Sequence, residues 1–295
     1  MTTAVNSYVL ITTARNEALH IEKTLDSVAS QTLPPRRWNI VSDGSSDGTD
    51  DIIKRYAARY PWIGYFRREA GIQRSFASKV YAFQLGVQQL TGVDYAYIGN
   101  QDADCSFSEN YYQQVLEMFA QNPRLGIGGG VCYELFGEKW LPMRTSVAWS
   151  VVGAIQMFRR QCYEEVKGYQ PLQSGGIDTL AEIMARMHGW EVKANPNLVV
   201  RHHRRMGCGK QNIYRARFRQ GTQEFLMGND PCFEMVKAAS RVSEPPYFIG
   251  SLFRLAGYVY GSLRGLEKAV PQEVVRFSRM EQRQRLLRFV QGDRA

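Results

Sequence analysis

The chain of 295 residues is defined first by what it lacks. It has no uninterrupted apolar stretch of the roughly 18–20 residues that a bilayer-spanning helix needs, so no conventional membrane span is expected. Its opening residues, MTTAVNSYVL, lack the basic start and apolar run of a secretion signal. Its five cysteines (Cys105, Cys132, Cys162, Cys208 and Cys232) contain no CxxC pair, which argues against a zinc site or a disulfide framework. Reduced thiols in a cytoplasmic protein are the expectation. No helix-turn-helix, zinc finger or RNP signature is present, so nucleic acid is not an expected partner. The first apolar segment runs into ITTARNEA with no glycine, which argues against the Gly-rich phosphate loop of a nucleotidyltransferase. Internal repeats and low-complexity tracts are absent as well. What remains is ordinary globular material, 44% apolar and 22% charged. The net charge of +9 is unevenly placed, because residues 201–220 hold seven Arg or Lys and no acid. Such a cluster attracts phosphate, whether in a nucleotide, a lipid pyrophosphate or an anionic membrane, or it is a solvated basic face.

Apolar runs at 7–14, 38–42, 62–66 and 94–99 read as strands, with helical spacing between them at 18–31, 50–60 and 75–90. This alternation predicts a doubly wound, mostly parallel sheet flanked by helices. Such sheets bind ligands beyond the carboxyl ends of their strands, where Thr12, Thr13, Asp43, Asp102 and Asp104 all fall. Farther along, Gly126–Gly130 suggests a close backbone approach ahead of a strand. Residues 149–160 read as strand and turn before a helix. Residues 178–188 read as a helix closed by Gly189, and 197–202 as a strand. Ser46 or Asp47 is expected to cap the helix near 50–60. The remainder is expected to be helical. The chain divides by this reading into 1–106, 107–212 and a helical extension, 213–295.

Asp102-Ala103-Asp104 places two carboxylates at a strand end, a pattern that can hold Mn²⁺ or Mg²⁺ together with a substrate diphosphate. The first strand ends in Thr13-Ala14-Arg15-Asn16-Glu17. The next helix contains Ser27-Val28-Ala29-Ser30-Gln31, and the second strand ends in Ser42-Asp43-Gly44-Ser45-Ser46-Asp47-Gly48-Thr49. In this order and spacing the segments resemble the family 2 glycosyltransferases of the GT-A fold. The resemblance is specific over 7–106, looser over 107–205 and weak beyond. It implies that Thr12, Thr13, Arg15, Glu17, Asp43, Arg74, Lys79, Asp102, Ala103 and Arg204 bind a nucleotide-sugar donor, with Asp43 on the base and uracil favoured. Asp104 would ligate the metal, with Asp102 on the metal or the ribose. One departure stands out: Ser42 replaces the first Asp of the usual Asp-Asp-Gly-Ser.

The family's catalytic base is commonly the Asp of a Glu-Asp pair at a helix start, after a Gly-Gly-Phe that Gly168-Tyr169 resembles. Here the pair is Ile177-Asp178. Asp178 is therefore the expected base, a role compatible with capping the helix, and Glu182, one turn on, is the second candidate. Glu182 could instead pair with Arg186. Gly153 and Ala154 are expected to line the acceptor side. Trp149 is read as a stacking platform for the acceptor ring or, by preference, as a core residue. His202 or His203 would complete the metal shell, and Arg204 and Arg205 would clamp the diphosphate. The whole reads as an inverting, metal-dependent hexosyltransferase acting on a glycan or lipid-linked acceptor. The alternative is a nucleotide- or carbohydrate-binding protein that kept the fold without turnover, a reading supported by Ser42 and Ile177. In the extension, 245–266 is apolar and aromatic but interrupted by Arg254 and Arg264, and 274–290 is a basic amphipathic helix. Both could lie on an anionic membrane, making the protein peripheral to it, pack internally, or form a dimer contact.

Overall fold

Strands that must be covered on both faces read as continuous apolar runs, and β1 (Tyr8–Ala14) is buried throughout except for a half-buried Thr13. The computed structural model describes residues 7–69, 76–143, 145, 147–204, 212–243 and 245–291. Contacts divide the chain into two units, 1–173 with 177–205, and 174–176 with 206–295.

In the first unit β1 is followed by α1 (Ile21–Ala29), β2 (Arg37–Asp43), α2 (Thr49–Arg59), β3 (Ile63–Arg68), α3 (Phe76–Gln88) and β4 (Tyr97–Asn100). Then come β5 (Cys105–Phe107), α4 (Tyr111–Gln121), β6 (Leu125–Phe136), β7 (Lys139–Pro142), β8 (Met157–Arg159), α5 (Arg160–Glu165), α6 (Ile177–Met187) and β9 (Glu191–His202). The strands form one sheet in the order β3-β2-β1-β4-β8-β6-β9-β5, with β7 paired to β6. The β3-β2-β1-β4 half is parallel, as expected. Beyond β4 the sheet is mixed: β8 is antiparallel to both β4 and β6, whereas β9 is parallel to β6. The parallel half aligns Ala14 with Ser42 and Ile11 with Asn100. That register sets the segments after β1, β2 and β4 along one carboxyl edge.

Several local expectations are corrected. Gly126, Gly128, Gly129 and Gly130 lie within β6 rather than ahead of it. They are needed there because the sheet's neighbours crowd that strand: a Cβ on Gly129 would stand 2.6 Å from Val151 Cγ1, and one on Gly130 would collide with the Leu198 carbonyl oxygen. The register between β6 and β9 shifts at this point. In 149–160 only Met157–Arg159 is strand, and α5 begins directly after it. Helix α2 is preceded by Gly48 at φ 63°, so neither Ser46 nor Asp47 occupies the cap. Asp47 nonetheless accepts the Thr49 N–H at 3.2 Å.

The second unit contains α7 (Ile213–Leu226), α8 (Pro231–Ala239), α9 (Tyr247–Leu263) and α10 (Gln272–Gln291). Helices α7 and α9 touch backbone to backbone. A Cβ on Gly221 would strike the Arg254 carbonyl, and one on Gly257 the Phe218 carbonyl. Among the described residues no helix is long and apolar enough to cross a membrane.

Gly130→Ala should therefore destabilise the first unit by about 2–3 kcal/mol, since the colliding atom is sheet backbone that cannot rotate away. Urea unfolding checks this. A loss below the error of the measurement would show that β6 and β9 can separate without cost.

Candidate active site

The loops after β1 and β2 are clasped together by short polar side chains. Asn16, at φ 56°, accepts the Ser46 N–H at 2.8 Å and donates its own N–H to Ser45 Oγ at 3.2 Å. Thr49 Oγ1 accepts from Glu17 N at 2.8 Å, and Asp47 Oδ2 from Ala18 N at 3.1 Å. The Ser-x-x-x-Gln segment does similar work for the third loop. Gln31 donates to the carbonyls of Ser27 and Ser108, both at 2.8 Å, and accepts from Tyr112 N at 3.0 Å. One turn earlier, Thr24 Oγ1 accepts the Cys105 N–H at 3.0 Å. These buried bonds fix the chain directly after the acidic triplet. Thr24 was not singled out from the sequence, although it lies on the same helical face as Ser27 and Gln31.

Asp43, buried at the end of β2, accepts from Arg68 Nη1 at 2.7 Å and Ser78 Oγ at 2.9 Å, with Arg15 Nη1 at 3.8 Å. That Arg15 nitrogen is buried without a hydrogen-bond partner, and so remains available to an incoming acceptor. Nothing in the local spacing of Arg68 and Ser78 marks either of them in the sequence. Thr13 is half-buried at the edge. Thr12 alternates to the opposite face and is fully buried, where it donates to the Gln101 carbonyl at 2.6 Å and accepts from Trp38 Nε1 at 2.9 Å. Its hydroxyl is committed to the core, which corrects the expectation that it faces a donor. Arg74 and Arg205 lie outside the described residues.

The two carboxylates of the triplet part company. Asp102 Oδ1 receives Lys79 Nζ at 2.6 Å and Asn100 Nδ2 at 3.1 Å. Burial depresses the Lys79 ammonium, but Asp102 first, then Asp178 and Asp104, outweigh it and hold the pKa above its ordinary value. Ala103 is buried. Asp104 turns to β9: its Oδ1 lies 3.4 Å from His202 Nε2 and its Oδ2 3.9 Å from Arg204 Nε. Burial pushes the Asp104 carboxyl up, His202 and Arg204 oppose the rise, and Asp102 adds to it. Arg204 also pairs with the buried Glu17, so these two expected donor-binding groups neutralise each other. Glu134 Oε1 stands 3.6 Å from His202 Nδ1, a contact that only the β6–β9 register reveals.

The two histidines diverge at the end of β9. His203 is turned away from Asp104, its Nε2 2.8 Å from Ser106 Oγ and its ring edge-on to Trp140. Burial, then Lys23, His20, His202 and Arg201, push its pKa down to about 4. His202 is therefore the histidine placed to join a cation site, and His203 is not. Asp104, Cys105 and His202 present ligand atoms within 4.8 Å of one another. A buried carboxylate that burial disfavours as an anion, with the imidazole Nε2 of His202 3.4 Å away, suits a divalent ion. Cys105 suits it less, since burial first and then Asp104 raise its thiol pKa well above the usual value.

Asp178 is half-buried in the first turn of α6, inside the helix rather than capping it. Its Oδ2 lies 2.7 Å from the place a Cβ would take on Gly153. The Gly153 carbonyl accepts from Asn100 Nδ2, and the Ala154 carbonyl accepts Asp102 N–H at 2.9 Å. Gly153 and Ala154 thus join the acidic triplet to Asp178 through backbone. Glu182 holds this turn from beneath. Its Oε1 accepts from Val151 N at 2.7 Å and Gln156 Nε2 at 3.2 Å, and its Oε2 lies 3.7 Å from Arg186. Tyr169 Oη in turn donates to Gln156 Oε1 at 2.7 Å. Trp149 is 46% exposed, so the preferred expectation of core packing does not hold.

An α/β domain whose mixed sheet gathers acidic, basic and imidazole side chains on one carboxyl edge has the architecture of a GT-A glycosyltransferase. Residues 9–173 match the family model described as glycosyl transferase family 2, and the chain belongs to that family. It is 27% identical over 133 residues to glycosyltransferase AglE of Haloferax volcanii, covering 44% of this chain and 41% of that one. It is 30% identical over 111 residues to the poly-beta-1,6-N-acetyl-D-glucosamine synthase of Staphylococcus epidermidis, covering 38% of this chain and 25% of that one. The matches thus span less than half the length of these relatives. Among solved structures, the mannosyltransferase PcManGT from Pyrobaculum calidifontis, in complex with GDP-Man and Mn²⁺, aligns at TM-score 0.56 and 16% identity, covering 96% of this chain and 80% of that one. TarS of S. aureus, in complex with UDP-GlcNAc, aligns at TM-score 0.56 and 11% identity, covering 92% and 78%. At these identities the structural likeness establishes the fold.

Burial raises Glu182 from its ordinary 4.5 to about 7, the Val151 N–H and Arg186 acting against it. Between those values the folded chain holds a proton that the unfolded chain has released. Glu182 therefore contributes stability below pH 4.5 that is lost as pH rises to about 7. Compared with Glu182→Gln, the wild-type protein should lose roughly 2–3 kcal/mol across that window and be level above it. Parallel curves for the two proteins in urea titrations across this range would contradict the assignment.

Proposed function

We propose that this chain is an inverting glycosyltransferase that moves a sugar from a nucleoside-diphosphate donor to a hydroxyl of a glycan or lipid-linked saccharide. The observation that carries this reading is the convergence of the Asp104–His202 pair, the Asp43 pocket and Asp178 along one edge. A solved structure of the same fold gives it chemical company: PcManGT is solved with GDP-Man and Mn²⁺.

In this reading Asp43, Arg15, Thr13 and the clasped loops receive the nucleotide. A carboxylate offers about four lone-pair positions, so Asp43 can accept the N3–H of a uracil beside its bonds to Arg68 and Ser78. Uridine diphosphate is the carrier that the family resemblance favours, although thymine offers Asp43 the same N3–H. Asp104 and His202 would hold Mn²⁺ or Mg²⁺, whose charge neutralises the diphosphate of the bound donor. Lys79 orients Asp102, and Arg204, held by Glu17, stands beside Asp104. Asp178 takes the proton of the acceptor hydroxyl. The acceptor oxygen bonds to the anomeric carbon as the bond to the diphosphate oxygen breaks, and configuration inverts. Trp149, exposed ahead of the Gly153 turn, offers a stacking surface for an acceptor sugar. Glu182 acts by holding that turn, not by moving the proton.

Calorimetric titration of UDP, GDP and dTDP with and without Mn²⁺ tests the donor half. One nucleotide should bind in a metal-dependent way, and Asp104→Ala should abolish the metal dependence. Asp178→Asn should lower kcat by about 10²–10⁴-fold while leaving nucleotide affinity within about twofold. A variant that turns over normally removes Asp178 as the base. Tight donor binding by the wild-type chain with neither transfer nor donor hydrolysis would instead identify a binding protein that retains the fold.

A further inference from the structure

Helix α9 is built inside out. Its 17 residues contain one charged side chain, Arg254, and that one is buried, with Nε donating to Glu224 Oε2 of α7 at 2.7 Å. Gly250, Ser251, Gly257 and Gly261 also point inward. Gly257 and Gly261 meet Phe218 and Phe225 of α7, and Ser251 donates to the Ala238 carbonyl of α8 at 2.9 Å. The outward side carries Phe248, Ile249, Leu252, Val259, Tyr260 and Leu263, exposed by 43% to 82%. A helix facing water normally reverses this arrangement, and a continuous exposed apolar stripe marks a contact surface.

Charge decides what covers it. Residues 206–295 hold fifteen Arg or Lys against eight Asp or Glu, a balance of +7 within the chain's +9. A second copy docking through this face would set +7 against +7. An anionic surface is attracted by the same charge that repels a second copy. At the amino-terminal end of α9, Arg217, Arg241 and Arg254 line one pocket with Gly250 and Ser251. Arg254 is held by Glu224, so Arg217 and Arg241 supply the cationic rim of this small recess beside the apolar stripe.

We propose that the outward face of α9 inserts into the acyl boundary of an anionic lipid bilayer, with Arg217 and Arg241 meeting lipid phosphate at headgroup level. The stripe supplies apolar burial, Tyr260 sits at the polar–apolar boundary, and the net charge supplies long-range attraction. This surface belongs to the second unit and does not depend on the glycosyl-transfer reading.

The test is vesicle flotation with the full chain and no nucleotide, at low salt. Vesicles of phosphatidylcholine alone are compared with an equimolar mixture of phosphatidylcholine and phosphatidylglycerol. The wild-type protein should float with the mixed vesicles only. Leu252→Glu combined with Leu263→Glu, both at exposed positions, should lower the bound fraction about tenfold with an unchanged circular dichroism spectrum. Arg217→Gln combined with Arg241→Gln should lower it at low salt and flatten its salt dependence. Failure of the wild-type chain to float with mixed vesicles overturns the proposal. So does flotation of the Leu252/Leu263 variant equal to wild type. Sedimentation without vesicles that finds a wild-type dimer and a monomeric Leu252/Leu263 variant would assign the face to self-association instead.

Discussion

A turn without a side chain holds the candidate site together. Gly153 leaves open the space that Asp178 fills, and its carbonyl is bonded to Asn100, which also reaches Asp102. The next carbonyl, of Ala154, takes the Asp102 N–H. Acidic groups that belong to different strands and a distant helix are thereby set by backbone geometry and not by the reach of flexible side chains. The turn itself is held by Glu182 and Gln156 from within the core. Glu182 carries a cost for this, since its charged form is disfavoured by burial, and Val151 N–H and Gln156 offset part of it.

Electrostatics along the edge follows a consistent pattern. Asp43 has Arg68 and Arg15, Asp102 has Lys79, Asp104 has His202 and Arg204, and Glu17 has Arg204. Buried carboxylates need such partners, yet Arg15 Nη1 and His202 Nδ1 keep hydrogen-bonding capacity unused. A site for an anionic ligand and a divalent cation requires both features: enough compensation to stay folded without them, and enough residual capacity to bind them.

The helical unit solves a different problem. Its α7–α9 contact relies on glycine and on a buried Arg254–Glu224 pair, which leaves the apolar side chains of α9 facing outward. That choice is costly in water, where exposed leucine and phenylalanine invite aggregation, and it is consistent with a surface meant to be covered.

By itself the amino-acid sequence determined the parallel half of the sheet, because unbroken apolar runs separated by amphipathic helices have few other ways to bury both faces. It also placed Asp43, Asp102 and Asp104 at the carboxyl edge, since each follows such a run directly. Local pattern reached less far from β4 onward. It marked the glycines among residues 126–130 but not that they lie within β6, because the crowding comes from Val151 and Leu198, distant in sequence. The tertiary structure alone set His202 beside Asp104 and His203 beside Ser106, through the β5–β9 pairing. It also turned Thr12 into a core hydroxyl, exposed Trp149 and separated Asp102 from Asp104. Arg68, Ser78, Asn100 and Glu134 became site neighbours only on folding, because their partners lie on other elements. Periodicity reports which face of an element is buried; which atoms then meet across that face is set by register and packing.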